Sequence, residues 1–325
     1  NTKLRRTFYD GIALNFYPDS TNAHTALDYA LRDEFSSLRG KGLAVLTNQA
    51  AIDEIGRPLE EVFALTGGLG VRTWFSPEHG LHGKAEAGKA VSSEQQAVPV
   101  VSLYGAQKGP SPAQLKRIDA FVIDLPDVGS RYYTYAATMK ECLTACAAAG
   151  TPVVLLDRPN PLGGVVLEGP IAANAASPVC WGDVPIRHGM TFGEIARYFQ
   201  ATIPALKKLD LTVRPVENWR REIMFPAYAL PWKAPSPNLP TADSALVYVG
   251  ACLFEGVNLN EGRGTETPFQ IVGAPWLDAK KIVDALGEEA FPGLRLAVKM
   301  YIPKAIPGKA SDPTYKDKLC RGIRI

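Results

Sequence analysis

Four carboxylates stand at or just beyond the ends of short apolar runs in the sequence: Glu78, Asp124, Asp127 and Asp157. Paired carboxylates can catalyse hydrolysis, one as general acid and the other as base or nucleophile. A single Asp before Gly or Pro is more often an ordinary turn residue, but Glu78-His79 is not a favoured turn pair. Hydrolysis by carboxylates is therefore the chemistry that the sequence supplies best.

Other catalytic chemistries lack their sequence signatures. Glu78, His79, His82 and His188 are candidate metal ligands, but H-E-x-x-H is absent and the glycines beside His79 and His82 favour a loop. The G-x-S-x-G motif of serine hydrolases is also absent. The five cysteines are few and odd in number, which argues against a disulfide framework, and none follows a predicted strand. We therefore expect no metal and no catalytic serine or cysteine.

A nucleotide cofactor is not expected either. A dinucleotide site needs G-x-G-x-x-G directly after the first strand, whereas this sequence has Thr47-Asn48-Gln49-Ala50-Ala51 there. The glycine cluster at residues 67–70 precedes an apolar run instead of following one, and there is no Walker loop. The sequence thus predicts no cofactor.

Short apolar runs alternate with segments of helical periodicity between residues 40 and 200. The runs predict strands at 43–46, 71–75, 100–103, 120–123 and 152–156. Helices are predicted at 24–38, 58–65, 112–118, 135–149 and 192–201, the last opened by a Thr191/Glu194 capping box. Such alternation is typical of a parallel sheet covered on both faces. We predict an α/β fold with a Rossmann-like open, mostly parallel sheet, whose strand ends meet at one ligand-binding edge.

A second, smaller α+β domain is predicted for the C-terminal part of the chain. We place a Rossmann-like catalytic domain at residues 1–205 and the smaller domain at 206–325, since domains average roughly 150 residues. Predicted elements of the smaller domain are strands at 211–215, 245–254, 294–301 and 320–325 and a helix at 278–286. Because the last strand reaches the final residue, we expect further residues beyond it. The polar loops 236–241 and 261–265 are expected to complete the cleft.

Composition limits the partners and the location. The 325 residues include 35 Lys and Arg against 33 Asp and Glu, a net charge of +2, so no field would attract nucleic acid or an anionic membrane. No apolar run approaches the ~20 residues of a membrane span. The chain starts at Asn1 without an apolar signal segment, so we expect a processed protein of the periplasm or the exterior, with the cytoplasm as the alternative. The sequence gives no indication of the oligomeric state.

Aromatic residues near the predicted strand ends suit a sugar ligand. Arg131-Tyr132-Tyr133-Thr134-Tyr135 follows Asp127 at the entrance to a predicted helix. Amphipathic tyrosine rings beside charged groups can stack on a sugar ring and hydrogen-bond to it. At least one of the three tyrosines is expected to pack within the helix instead.

Six motifs occur in order along the chain: FSPEHGL at 75–81, DVGSRYYTY at 127–135, LDRPNP at 156–161, RHGMT at 187–191, PSPN at 235–238 and EGRGT at 261–265. Together they resemble the bacterial exo-β-N-acetylmuramidases, a family long known as a domain of unknown function. The resemblance runs from about Lys41 to the last residue. It implies a glycoside hydrolase that removes N-acetylmuramic acid from the non-reducing end of peptidoglycan fragments, with its site between a Rossmann-like domain and a smaller one.

The resemblance and the chemistry together suggest roles for individual residues. Glu78 is expected to be the general acid, favoured in its protonated form by partial desolvation near Trp74 and Phe75. Asp127 and Asp157 are the candidates for the second carboxylate, and participation of the substrate's own 2-acetamido group is the alternative. The predicted substrate-binding residues are Asn48, His79, Arg131, Tyr132, Tyr133, Arg158, Asn160, His188, Ser236, Asn238, Glu261 and Arg263.

Two of these groups have more specific expected tasks. His79 and His188 would position the sugar or tune Glu78, and Arg131, Arg158 or Arg263 would bind the lactyl carboxylate of the sugar through a planar two-pronged donor. The sequence departs from the expected family pattern at Leu125-Pro126, where a polar residue is expected before Asp127.

Two other functions compete with the muramidase interpretation. A non-catalytic peptidoglycan- or sugar-binding protein would share the tyrosines and arginines but would not need a desolvated carboxylate. A nucleotide-dependent enzyme would share the Rossmann-like sheet, although the glycine motif is missing. Fold analogy alone is a weak basis for function.

Overall fold

The computed structural model describes residues 23–94, 97–172, 177–228, 230–287 and 291–325. These residues form two compact units, one ending at Leu246 and the other running from Val247 to Ile325. No helix within the described ranges is both long enough and apolar enough to cross a membrane.

The first unit is built on a parallel sheet, as the sequence predicts, but the sheet has six strands instead of the five expected there. Its strands are β1 (Gly42–Thr47), β2 (Gly70–Ser76), β3 (Val100–Ser102), β4 (Ala120–Asp124), β5 (Val153–Leu156) and β6 (Leu211–Arg214). Their order is β3-β2-β1-β4-β5-β6, and every neighbouring pair is parallel. The chain therefore winds outward in opposite directions from β1 and β4, and a crevice opens where these two strands end.

Six α-helices of the described chain accompany this sheet. They are α1 (Ala26–Arg32), α2 (Leu59–Thr66), α3 (Pro112–Leu115), α4 (Tyr135–Ala149), α5 (Phe192–Thr202) and α6 (Ala242–Ala251), the last of which crosses the boundary into the second unit. The capping box at Thr191 and Glu194 opens α5 as predicted, and Gly150 closes α4 in the left-handed conformation that glycine adopts without strain. These local signals explain why α5 begins and α4 ends where they do.

Apolar burial fixes the middle of the sheet. All six residues of β1 are buried, and side chains of α1 and α2 join those of β1 and β4 in one apolar cluster. Within it the rings of Phe35 and Phe63 pack edge to face with centroids 5.0 Å apart. A rigid central strand is what keeps the polar residues beyond β1, β2 and β4 in a defined arrangement.

The second unit contains a small antiparallel sheet. Its elements are β7 (Ile271–Ala274), α7 (Ala279–Leu286), β8 (Ala297–Tyr301) and β9 (Cys320–Arg324), in the sheet order β7-β9-β8. The predicted helix at 278–286 and the predicted strands at 294–301 and 320–325 are confirmed within a few residues.

Two predictions for the C-terminal part differ from the structure. The strand expected at 245–254 is instead α6 followed by a 3-10 helix at Cys252–Gly256. Reciprocal hydrogen bonds between Thr241 and Ser244 cap the N-terminus of α6. This cap outweighs the strand preference of an apolar, partly β-branched run.

The segment 206–246 also lies elsewhere than expected. The strand predicted near residue 211, which we assigned to the smaller domain, is β6 and pairs with β5 in the large sheet. Residues 206–246 therefore group with the parallel sheet, and the boundary between the units falls after Leu246 instead of after residue 205.

Candidate active site

Glu78 stands two residues beyond the end of β2, at the carboxyl edge of the parallel sheet. The residue is buried, with 7% of its surface exposed. Oε1 accepts a hydrogen bond of 2.7 Å from the backbone N–H of Gly88, and Oε2 accepts one of 2.6 Å from the hydroxyl of Thr134. A carboxylate that is buried and held at both oxygens has a fixed orientation, which a catalytic acid needs.

Thr134 is the N-cap residue of α4, yet its side chain does not cap the helix. The hydroxyl is directed to Glu78 instead. A hydroxyl can donate to a carboxylate and can equally accept from a carboxylic acid. Thr134 can therefore hold Glu78 in both of the protonation states that an acid passes through.

Tyr104 follows β3 and also contacts Glu78. Burial, together with the charge and the hydrogen bond of Glu78, raises the pKa of Tyr104 to about 12. The phenol thus remains protonated at neutral pH and can donate a hydrogen bond at this edge of the sheet.

His79 forms a strained turn directly after Glu78. It has a left-handed backbone with φ of +72° and is almost completely buried, a conformation that costs a non-glycine residue about 1–2 kcal/mol. Its Nδ1 lies 2.8 Å from the carbonyl oxygen of Ala85 and donates a hydrogen bond to it. His79 thereby fixes the loop that carries Gly88, the backbone donor to Glu78.

The crevice at the ends of β1 and β4 is filled by side chains. Asn48 donates a hydrogen bond of 2.8 Å to the hydroxyl of Tyr135, which in turn donates one of 2.7 Å to the carbonyl of Pro235. A dinucleotide-binding protein keeps its glycine-rich turn at the place that Asn48 holds here. This chain of hydrogen bonds opposes a nucleotide at that edge and orients the motif at 235–238 beside it.

Asp127 follows β4 and is 3% exposed. Its Oδ2 accepts hydrogen bonds from the backbone N–H of Gly129 at 2.6 Å and from Nε2 of His188 at 3.1 Å. Its Oδ1 is buried and has no hydrogen-bond partner among the residues that the structure describes. A buried carboxylate oxygen without a donor is costly, which points to a ligand or a water that binds there.

Gly129 allows the motifs around Asp127 and Asn160 to approach closely. It has φ of +81°, and a Cβ at this position would lie 2.6 Å from Oδ1 of Asn160. Asn160 itself is completely buried, accepts from the N–H of Leu162 and donates to the carbonyl of Met190. Asn160 therefore ties its loop to the loop that carries His188 and has both amide atoms engaged within the protein.

Asp157 follows β5, and its carboxylate lies at the N-terminus of α5. Its Oδ1 accepts from the N–H groups of Arg158 and Gly193, and its Oδ2 accepts from the hydroxyl of Thr191, at distances of 2.6–2.8 Å. Burial raises the pKa of Asp157 to about 6, although these three donors oppose the rise. Both oxygens accept hydrogen bonds from residues at the start of α5. This geometry therefore indicates a structural role for Asp157, which is to stabilise the N-terminus of that helix.

The three arginines expected to bind a lactyl carboxylate all contact groups of the protein. Arg158 forms a buried two-pronged pair with Asp124, and Arg131 donates to the carbonyls of Pro170 and Val184. Arg263 pairs with Glu255 and Glu261. Each guanidinium thus already stabilises a neighbouring loop or carboxylate.

Glu261 and Arg263 belong to the second unit and form a cluster of their own there. Oε1 of Glu261 lies 3.3 Å from Nη1 of Arg263, whose guanidinium lies over the ring of Phe269. Burial raises the pKa of Glu261, although Arg263 opposes the rise. The EGRGT motif therefore builds a compact ion pair in which Glu261 is buried and Arg263 is partly exposed.

The remaining predicted residues lie close to the same sheet edge or pack within it. Ser236 and Asn238 are buried in the segment that Tyr135 contacts, and the Ser236 hydroxyl accepts from the N–H of Asn238. Tyr133 is buried with its ring centroid 4.6 Å from that of Tyr135, while Tyr132 is partly exposed.

A small pocket with a volume of about 40 Å³ opens beside Asp127. Asp127, Arg158, Phe225, Trp232 and Lys233 are among its lining residues, whereas Glu78 is not. The rings of Phe225 and Trp232 pack edge to face with centroids 5.2 Å apart. The pocket combines flat apolar walls with a carboxylate and a lysine.

Four residues contribute to the site although the sequence did not single them out for a role: Gly88, Tyr104, Thr134 and Tyr135. Thr134 and Tyr135 belong to the DVGSRYYTY motif, and Tyr104 follows a predicted strand. The sequence positions of these three residues therefore indicated that they lie near the site. Gly88 acts through its backbone N–H, which no residue type reveals. Within the described ranges, no cluster of three or more His, Cys, Asp or Glu side chains is arranged to hold a metal ion.

Comparison with known proteins identifies the family. A sequence model described as exo-beta-N-acetylmuramidase NamZ, N-terminal, matches residues 43–243, and the corresponding C-terminal model matches residues 246–325. The break between the two falls close to the boundary between the two structural units. Together the matches cover most of the chain.

Individual proteins agree with this match. The peptidoglycan beta-N-acetylmuramidase NamZ of Bacillus subtilis is 36% identical over 319 residues, which covers 95% of this chain and 75% of the relative. Two crystal structures of DUF1343 family proteins from Bacteroides fragilis are similar. One has a TM-score of 0.81 and 28% identity, covering 93% of this chain and 77% of its own. The other has a TM-score of 0.75 and 32% identity, covering 94% and 76%. The chain belongs to the NamZ family of exo-β-N-acetylmuramidases.

Proposed function

We propose that this protein is a glycoside hydrolase that releases N-acetylmuramic acid from the non-reducing end of peptidoglycan fragments. In this proposal Glu78 is the general acid and Asp127 is the second carboxylate. The observation that carries the assignment is the contrast between the two groups. Glu78 is held by a hydroxyl that fits either protonation state, and one buried oxygen of Asp127 has no partner in the described part of the chain.

The first step would be proton transfer from Glu78 to the glycosidic oxygen as the bond from that oxygen to the anomeric carbon breaks. General acids of this kind contribute about 10²–10⁴-fold to a rate. Thr134 and Gly88 hold the carboxyl in place before the proton leaves, and Thr134 can donate to the carboxylate once it has left.

Asp127 would act at the anomeric carbon or beside it. With Oδ2 fixed by Gly129 and His188, only Oδ1 remains for the substrate. Oδ1 can take a proton from an attacking water, attack the anomeric carbon itself, or accept the N–H of the 2-acetamido group while that group attacks. Glu78 follows β2 and Asp127 follows β4, and these strands lie on either side of β1 in the parallel sheet. The two strands that carry the carboxylates are therefore about 10 Å apart.

The pocket beside Asp127 supports a sugar with an anionic substituent. Phe225 and Trp232 offer flat apolar surfaces for the C–H face of a ring, and Lys233 offers a cation for a carboxylate. The arginines expected for this task are paired with protein groups, which favours the lysine as the partner of the lactyl carboxylate.

A matched pair of disaccharides tests the proposal. The protein is incubated with N-acetylmuramyl-N-acetylglucosamine and with the reverse disaccharide, which has N-acetylglucosamine at the non-reducing end, and released sugars are followed by NMR. We expect release of N-acetylmuramic acid from the first compound alone. Cleavage of neither, or faster cleavage of the second, would overturn the proposal.

The same NMR spectra report the stereochemical course. An α anomer released first means inversion and a water activated by Asp127, while a β anomer means retention. If retention is found, replacement of the 2-acetamido group by a hydroxyl decides between the two retaining routes. Loss of turnover with that substrate indicates substrate assistance, and preserved turnover indicates attack by Asp127.

A further inference from the structure

His188 does not line the pocket beside Asp127. Its side chain has 0% exposure, and both ring nitrogens are used within the protein. Nδ1 accepts a hydrogen bond of 3.2 Å from the backbone N–H of Met190, and Nε2 lies 3.1 Å from Oδ2 of Asp127. The edge of Trp181 packs against the ring with centroids 5.4 Å apart. These contacts leave the imidazole no surface for substrate.

The hydrogen-bond pattern also fixes the tautomer. Because a backbone N–H can only donate, Nδ1 of His188 must carry a lone pair toward Met190. The single ring proton of the neutral imidazole is then on Nε2 and is donated to Asp127. A backbone amide therefore determines that His188 is a donor to the carboxylate.

We propose that His188 is a positioning residue for Asp127, a role that rests on the proposed function. Together with the N–H of Gly129, it occupies Oδ2 and holds the carboxylate so that Oδ1 alone meets the substrate. Rotation of the carboxylate away from this orientation would break the hydrogen bonds from Gly129 and His188 and turn the unpartnered oxygen away from the substrate. The hydrogen bonds from His188 and Gly129 thus fix the position of the oxygen that reacts.

Misplacement of a reacting group by about 1 Å can reduce a rate about 100-fold. We therefore expect loss of the Nε2 donor to lower kcat about 100-fold while KM changes less than about 3-fold, since His188 does not touch the substrate. A role in packing alone predicts equal effects from any substitution that removes the ring.

Two matched variants separate these roles. In His188→Gln the side-chain amide reaches the place of Nε2 and keeps a donor to Asp127. In His188→Asn the shorter side chain reaches only the place of Nδ1, so its oxygen keeps the contact with Met190 while the donor to Asp127 is lost. Both variants remove the ring and its packing on Trp181, and thermal unfolding shows whether they fold equally well.

The experiment measures kcat and KM of both variants on N-acetylmuramyl-N-acetylglucosamine, alone and combined with Asp127→Asn. We expect kcat of His188→Gln within about 5-fold of wild type and that of His188→Asn about 100-fold lower, with little further loss when His188→Asn is added to Asp127→Asn. Equal losses in both His188 variants, or full additivity with Asp127→Asn, would overturn the positioning role. If Asp127→Asn alone keeps wild-type turnover, the proposed catalytic role of Asp127 fails instead.

Discussion

Asp127 and Asp157 follow neighbouring strands of one parallel sheet, and both are buried, but their carboxylates have different partners. Asp157 accepts three hydrogen bonds at its two oxygens and fixes the start of α5. Asp127, which lines a pocket, has both of its donors on one oxygen, and its other oxygen has no partner within the described ranges. Of these two aspartates, Asp127 is therefore the candidate for chemistry, because the fold leaves one of its oxygens available.

Glu78 adds a second lesson to this comparison. Both of its oxygens are held, as in Asp157, but the donors differ in origin. The donors to Asp157 include groups at the start of α5, which this carboxylate stabilises. The donor to Glu78 is the N-cap residue of α4, Thr134, whose hydroxyl binds the carboxylate instead of capping its own helix. Thr134 thus orients the carboxyl group of Glu78 and forms no side-chain cap on α4. Such a loss of a local stabilising hydrogen bond is typical of a functional site.

The largest expected effect comes from Glu78→Gln. The amide fits the same space and can keep its contacts with Gly88 and Thr134, but it has no proton to transfer to the glycosidic oxygen. We expect kcat on N-acetylmuramyl-N-acetylglucosamine to fall about 10²–10⁴-fold, with an unchanged melting temperature. An aryl N-acetylmuramide with an acidic leaving group needs less protonation and should lose less. Near-wild-type turnover of both substrates would remove Glu78 from the acid role.

A smaller effect is expected at Thr134, where the helix cap meets Glu78. Thr134→Val keeps the shape of the side chain but removes the hydroxyl, so Oε2 of Glu78 loses its 2.6 Å donor. We expect kcat to fall about 10-fold, the scale of one hydrogen bond to a charged group. Thr134→Ser is the matched control and should stay near wild type. Equal kinetics for Val and Ser would show that the hydroxyl does not assist Glu78.

The smallest expected effect concerns stability at Asp157. Burial raises the pKa of this carboxyl from its ordinary value of 3.8 to about 6 in the folded chain, so between these values the folded state keeps a proton that the unfolded state has lost. The stability that this group contributes is present below about pH 4 and is lost as pH rises through 6, by on the order of 1–3 kcal/mol.

Asp157→Asn tests this pH dependence directly. The amide oxygen can accept from the two backbone donors and the amide nitrogen can donate to the Thr191 hydroxyl oxygen, so the three contacts can be kept with the Thr191 hydrogen bond reversed. Denaturant midpoints measured from pH 4 to 7 should fall with pH more steeply in wild type than in the variant. Parallel curves would contradict the raised pKa.

Much of the framework could be predicted from the sequence because its signals are local. Five apolar runs predict β1 to β5, and the Thr191/Glu194 pair predicts the start of α5. The helix α6 is missed because its apolar, β-branched residues suit a strand, and its start is marked only by the cap that Thr241 forms with Ser244. Local pattern alone does not separate these outcomes.

The roles of the strand-end carboxylates could not be predicted, because their partners lie far away in sequence. Thr134 and Glu78 are 56 residues apart, and His188 and Asp127 are 61 apart. Asp157 reaches Gly193 across 36 residues. Residue type and strand position predict that these carboxylates lie at one edge of the sheet. The packing of loops distant in sequence decides which carboxylate oxygens receive hydrogen bonds.

The difference between Asp127 and Asp157 is tested most directly by comparing Asp127→Asn with Asp157→Asn in turnover of N-acetylmuramyl-N-acetylglucosamine. Both substitutions replace a buried carboxylate by an amide of the same shape at the same edge of the sheet. We expect kcat of Asp127→Asn to fall at least about 100-fold and that of Asp157→Asn to stay within about 5-fold of wild type. A larger loss in Asp157→Asn than in Asp127→Asn would contradict the assignment.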